Sequence, residues 1–327
     1  METVAGMTSR LIRILLVLGL AAAYGIVCRI LFALEPGGFF EIVSVAFIYT
    51  MPVSLGALVC YLGYKLDRPG KFWSLAAPPL TMTLLLLGSL LFEIEAAICV
   101  LVAAPVVLPF TVLGGWLTGM FLDRRKNRDG RLHVGLFVLL PFVVGPIEEQ
   151  WEAPHETRVM TNTIEISATP ERIWNHIAEV PAISRHEIPG QWIYWLGFPR
   201  PIAATLDRFG VGGKRHATFE GDVSFYEVVT VWEPGEKLAF TIKADPEFIP
   251  HTAFDEHIIV GGRFYDVLDG TYEIEPLGDG RCRLHLTSTH RLSTRFNAYA
   301  GWWSEWVMNQ IQGSILEVIR ARCEARA

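Results

Sequence analysis

Long apolar runs fill the first half of the chain, and the stretches between them alternate in charge. Residues 11–34, 40–64, 72–92, 96–122 and 132–147 are the five runs. About 20 residues at about 1.5 Å rise cross a hydrocarbon core of about 30 Å, so the first four predict transmembrane helices. The fifth is short and carries Pro141 and Pro146. Flanking residues or local thinning can rescue a short span, and it reads as a fifth helix, with a re-entrant segment as the rival. Lys and Arg lie before the first run (Arg10, Arg13), between the second and third (Lys65, Arg68, Lys71), and between the fourth and fifth (Arg124, Arg125, Lys126, Arg128, Arg131). Residues 35–41, 93–95 and 148–156 contain none. Basic loops mark the cytoplasmic face. The pattern predicts a multi-pass inner-membrane protein with its N-terminus in the cytoplasm and its C-terminal part exoplasmic, periplasmic in a bacterium. Arg10, Arg13 and Ala21–Ala23 resemble parts of a signal peptide, but the run stays apolar to Leu34 and reads as an uncleaved helix.

Composition supports the division. The 327 residues are 19% charged, below the roughly 25% of soluble domains. Residues 1–150 hold 11 Lys+Arg against 10 Asp+Glu, the rest 17 against 24, so the parts carry +1 and −7. An acidic second part without a basic cluster excludes nucleic acid as a partner. A membrane unit over 1–150 and a soluble unit over 157–327 follow. Beyond Arg13 at the start of the first run, Arg29 is the one Lys or Arg inside a run. Such a residue is a functional candidate by default, although it can snorkel from the helix end or pair with Glu93. Gly115-x-x-x-Gly119 has the spacing of close helix pairs, which suits a homo-oligomer formed through the membrane. No acid row, histidine relay or broken-helix pair marks a transport path.

After Thr157 the pattern changes to strands and turns. Ile164 and Ile166 alternate with Glu165. Thr169 and Pro170 open a helix over Glu171–Glu179, and a second short helix is expected near Pro181. Strands are expected near Lys214–Glu220, Val223–Trp232, Lys237–Lys243, Asp255–Val260, Gly270–Pro276 and Arg281–Arg291, with turns at Glu233–Glu236 and Gly278–Gly280. One long helix, Thr294–Glu324, closes the chain. Its apolar stripe runs Phe296, Tyr299, Ala300, Trp303, Val307, Ile311, Ile315 and Val318. Strand parity then selects inward residues. Ser288 and His290 share the parity of Leu284 and Leu286. Tyr272 goes with Ile274, Phe240 with Leu238, and Phe219 and Arg215 with Ala217. Arg215, Phe219, Phe240, Tyr272, Ser288, His290, Tyr299 and Trp303 are thus the candidate cavity residues. A few polar tips among apolar walls make a ligand pocket, unless the tips only satisfy one another.

The stretch Ile164-Glu165-Ile166-Ser167-Ala168-Thr169-Pro170-Glu171-Arg172-Ile173-Trp174, the stretch Val231-Trp232-Glu233-Pro234-Gly235-Glu236-Lys237-Leu238 and the aromatic terminal helix resemble the SRPBCC superfamily, also called START-like or polyketide cyclase/dehydrase and lipid transport. The resemblance spans about 170 residues, none of them in the membrane unit. It implies an α+β helix-grip fold: a seven-stranded antiparallel sheet around the C-terminal helix, enclosing an apolar cavity for a hydrophobic ligand. None of these motifs is catalytic.

No metal or cofactor is expected. Asp255 and His257 share a strand face without a third ligand, no GxSxG elbow occurs, and Gly210–Gly213 and Gly261-Gly262 read as turns. Cys28, Cys60 and Cys99 lie in spans, and a Cys282–Cys323 bridge is open to an exoplasmic domain. Trp192, Trp195 and Phe198 belong to an aromatic cluster that is either core or a lip at the head-group layer of the bilayer. The linker after Ile147 is about ten residues, which would keep the soluble unit near the membrane. The leading functional reading is membrane-anchored binding, or transfer, of a lipid-like or other hydrophobic small molecule. A cyclase-, dehydratase- or hydrolase-like enzyme using His290, Tyr272 and Arg215, and a scaffold with a vestigial cavity, are the alternatives.

Overall fold

In a bilayer an apolar segment satisfies its backbone polar groups only by coiling, and the runs do so. Helices α1 (Val4–Ala33), α2 (Met51–Leu66, entered through a π-turn at Ala46–Thr50), α3 (Trp73–Leu91), α4 (Ala97–Arg124) and α5 (Arg131–Glu148) follow in order. The computed structural model describes residues 4–33, 42–66, 72–124, 131–244 and 260–325. It divides into two units, Met1–Glu152 and Ala153–Ala327.

Four helices, over Thr8–Phe32, Ala46–Leu66, Trp73–Leu91 and Ala97–Asp123, are long and apolar enough to cross a membrane. The expected five full spans become four. The apolar part of α5, His133–Glu148, extends only about 24 Å at helical rise, short of the hydrocarbon core. Small residues set the packing. A Cβ on Gly56 would stand 1.9 Å from the Thr111 carbonyl of α4, and one on Gly115 2.4 Å from the Ser74 carbonyl of α3. Gly119 also closes on Ser74, so the Gly115/Gly119 pair packs α4 against α3 within the chain. Helix α5 lies antiparallel to α2. His133 at its start stacks on Phe121 near the end of α4 at 4.0 Å, and Ser54 donates to the Phe137 carbonyl at 2.5 Å. At its far end the Glu148 carboxylate accepts from the backbone N–H groups of Val45 and Ala46 at 2.9 and 3.0 Å. Arg29 pairs with Glu95 rather than Glu93. Glu93 turns away in the left-handed region at φ 55°.

The C-terminal unit opens with β1 (Glu156–Ile166) and α6 (Pro170–Ala178). Thr169 accepts from the Arg172 N–H at 3.5 Å, a weak cap, and Pro170 takes the first turn. No helix follows at Pro181. Instead Val180 bridges to Ala204 by mutual backbone bonds of 2.8 Å. Then come β2 (Pro201–Leu206), β3 (Lys214–Phe219), β4 (Ser224–Glu233), β5 (Lys237–Ala244), β6 (Tyr265–Gly278), β7 (Arg281–Leu292) and α7 (Asn297–Glu324). The short β2 was not expected. The strand expected at Asp255–Val260 lies outside the described residues except Val260, which makes one bridge to Tyr265. All seven strands join one curled antiparallel sheet in the order β1-β7-β6-β5-β4-β3-β2. With α7 laid against β1 and β7, this is a helix-grip arrangement.

Strand β7 alternates buried and less buried along its whole length, as its parity predicts. At one end Leu284, Leu286 and Ile166 pack with Ile173, Trp174 and Ile177 of α6 and Leu316 and Ile319 of α7. Cys282 and Cys323 share this core as free thiols, with no bridge between them. The face α7 buries also departs from the expected stripe. Asn297, Gly301, Met308, Gln312, Ser314, Leu316, Val318, Ile319 and Cys323 are buried; of the expected stripe Val318 is among them, whereas Tyr299, Trp303, Val307 and Ile311 are half-buried. In its first half the helix presents small and polar residues to polar strand positions, so apolar periodicity indicated a neighbouring face.

Candidate functional site

Two polar stations occupy the inner face of the sheet. The first joins adjacent strands. Arg215 of β3 is registered opposite Glu227 of β4, and their charges meet at 2.6 Å with Arg215 only 4% exposed. The guanidinium lies 5.3 Å over the Phe240 ring of β5, and the Tyr272 hydroxyl of β6 interacts with it. Burial pushes Tyr272 up to about 12. It also raises the Glu227 carboxyl, against the pull of Arg215, which keeps its charge. Nε of Arg215 is buried without a partner. Beside this station Phe240 leans over Gly270, where a Cβ would stand 2.6 Å from its ring, so the missing side chain makes room for the aromatic.

The second station lies under the first half of α7. His290 is 0% exposed, with Nε2 3.1 Å from the Ser304 hydroxyl and Nδ1 buried without a partner. Tyr265 flanks it at 5.6 Å between ring centroids. Burial, with Arg158 nearby, holds the imidazole below its usual range. Arg158 is registered opposite His290 and bonds Glu305 of α7 at 2.6 Å and Glu156 at 2.7 Å. Next along the helix the polar groups close on one another. Asn162 donates to Gln312 at 3.0 Å, Gln312 to Ser288 at 2.9 Å, and Asn309 to Asn162 at 3.1 Å.

The structure therefore sorts the expected residues. Arg215, Phe240 and Tyr272 meet in one station, and His290 faces the other, beside α7. Ser288 faces α7 but is taken up by Gln312. Phe219 packs in a satellite cluster with Phe225, Ala217, Val180 and Ala204. Tyr299 and Trp303 meet edge to face along α7 at 6.4 Å, and Nε1 of Trp303 is buried without a partner. In the aromatic loop Trp195 is 85% exposed and Trp192 leans on Trp306 of α7 at 4.2 Å. Phe198 is buried; it belongs to the core, not to a lip. Sequence reasoning missed Glu227, Arg158, Asn162, Gln312 and Ser304. Parity of β1 from Ile166 back to Arg158 would have found two of them. Among the described residues no group of three or more His, Cys, Asp or Glu could hold a metal ion; Asp255 and His257 lie outside them.

No family model matches the chain, and no curated protein matches it. Solved structures similar to it include truncated norcoclaurine synthase from Thalictrum flavum, 13% identical over 54% of this chain and 99% of that one, with a TM-score of 0.34. A protein from Arthrobacter aurescens is 20% identical over 52% of this chain and 87% of that one, at 0.32. A conserved protein from Geobacillus kaustophilus is 14% identical over 51% and 95%, at 0.33. None of these likenesses speaks to a ligand or a reaction; that reading comes from the site.

Proposed function

We propose that the C-terminal unit binds a hydrophobic, lipid-like small molecule in its interior, between the sheet and the first half of α7, while the apolar helices hold the protein in a membrane. One observation carries this reading. Nδ1 of His290, Nε1 of Trp303 and Nε of Arg215 are buried without protein partners. A close-packed core pairs such atoms, whereas a ligand pocket presents a few of them among aromatic and aliphatic walls. The helix-grip topology, with the Ile164–Trp174 stretch, supports placing the unit in the SRPBCC superfamily. Mass spectrometry of the full chain purified in mild detergent should find a hydrophobic molecule retained. If nothing is retained and no hydrophobic fluorophore binds, the reading fails.

The acidic-loop side of the membrane, the exoplasmic side, is the side proposed for this unit. Helix α5 is short, but it begins beside the basic-loop end of α4 and ends where Glu148 caps the acidic-loop start of α2. That geometry supports a chain that leaves the membrane unit opposite its N-terminus, through local thinning. In a bacterial host, alkaline phosphatase fused after Ala327 should be active. An inactive phosphatase with a fluorescent cytoplasmic fusion would place the unit inside.

A cyclase-, dehydratase- or hydrolase-like reaction is the second reading, favoured by the buried neutral nitrogen of His290, a general-base arrangement. Under it, His290→Gln abolishes turnover and leaves binding intact.

A further inference from the structure

Three features of the interior restrict the head group of a bound amphiphile. The first is the tautomer of His290. Ser304 has one hydroxyl hydrogen, and it is donated to the Gly301 carbonyl of its own helix at 3.0 Å. With that hydrogen on the Gly301 carbonyl, the Ser304 oxygen accepts from Nε2 of His290 at 3.1 Å, and Nδ1 is then a bare lone pair. Burial beside Arg158 keeps the ring neutral at physiological pH. Whatever meets Nδ1 must donate.

The second feature is charge. Arg158 already has Glu305 and Glu156, and Arg215 already has Glu227. Nε of Arg158 and Nε of Arg215 keep an unbonded N–H, but both charges are already balanced by carboxylates, so an anionic head would add uncompensated negative charge, and a cationic head would lie near Arg158. Desolvation penalises both. The third is the contrast between closed and open groups. Asn162, Gln312, Ser288 and Asn309 satisfy one another. Trp303, the residue before Ser304, has a buried N–H with no partner. A hydroxyl can donate to the bare acceptor at Nδ1 of His290. A ketone or ester carbonyl only accepts.

We propose that the molecule bound by the C-terminal unit is an uncharged amphiphile with a hydroxyl head, the hydroxyl donating to Nδ1 of His290. This rests on the binding reading above. The test uses the full chain in lipid nanodiscs and three long-chain diazirine probes with identical tails, ending in a hydroxyl, a carboxylate or an ammonium group. Labelled peptides from Arg281–Leu292 and Asn297–Glu324 are mapped by mass spectrometry. The hydroxyl probe should label them about tenfold more than either charged probe. His290→Phe should remove that preference while tail labelling remains. Ser304→Ala, which frees the imidazole to change tautomer, should narrow it in a protein that keeps its histidine. Equal labelling by all three probes, or preference for the carboxylate, overturns the hydroxyl assignment and leaves binding intact. A preference that survives both variants overturns the role of His290. No labelling by any probe overturns the binding reading itself.

Discussion

The two halves of helix α7 are held against the sheet by different physics. Its second half meets Leu284, Leu286 and Ile166 through Leu316, Ile319 and Cys323, and area removed from water does the holding. Its first half meets Arg158, Ser288 and His290 through Gly301, Ser304, Glu305 and Gln312, and directional bonds do the holding. Strand parity is the same in both halves. The apolar half tolerates no vacancy without loss of stability. The polar half, with unpartnered atoms beside a closed network, has chemistry left for a ligand. The Arg215–Glu227 station extends that polar region across the sheet.

The sharpest way to break this contrast is to unbalance the buried pair. Glu227→Leu leaves the Arg215 charge unanswered and should cost about 3–5 kcal/mol. The double variant with Arg215→Met should recover most of it, as read by thermal unfolding of the full chain. A single variant as stable as the parent would mean that water reaches the guanidinium.

In the apolar half, Leu316→Ala removes a side chain that is nearly inaccessible and should cost about 3 kcal/mol. Probe binding by the folded protein should be unchanged. If binding fell with stability, the two halves would be one cooperative site.

At the polar end, a Cβ on Gly301 would stand 2.1 Å from Cζ of Arg158. Gly301→Ala should displace the guanidinium from Glu305 and cost about 2 kcal/mol. Arg158→Ala added to it should relieve the clash, and a double-mutant cycle measures the coupling. Additive losses would show that the helix simply moves aside.

The smallest effect lies at the rim of the apolar half, where Arg322 of α7 bonds Glu187 at 2.6 Å. Arg322, with Ser184, holds that carboxyl down to about 2 against an ordinary 4.5. Its contribution is fully present above about pH 4.5 and is lost as the pH falls through about 2. Partial exposure limits it to about 1 kcal/mol. Glu187→Gln should lower the Tm at pH 6, and the gap from the parent should close towards pH 2. A gap independent of pH would assign the loss to packing.

Sequence alone determined four of the five expected apolar spans, the opening strand and helix, the later strands and long closing helix of the C-terminal unit, and the inward parity of Arg215, Phe240, Tyr272, Ser288 and His290. These follow from local rules: hydropathy over a bilayer's length, and a period of two in strands. It could not supply Glu227, because the pair depends on which strand lies beside β3 and in what register. It misjudged the face of α7, because that helix is buried over half its length by polar contacts, which leave no apolar stripe to read. It gave Gly115 and Gly119 a close-packing spacing without the partner, which the fold supplies as Ser74 of α3. Tertiary structure decided these points because each depends on residues distant in the chain, whose pairing no periodicity records.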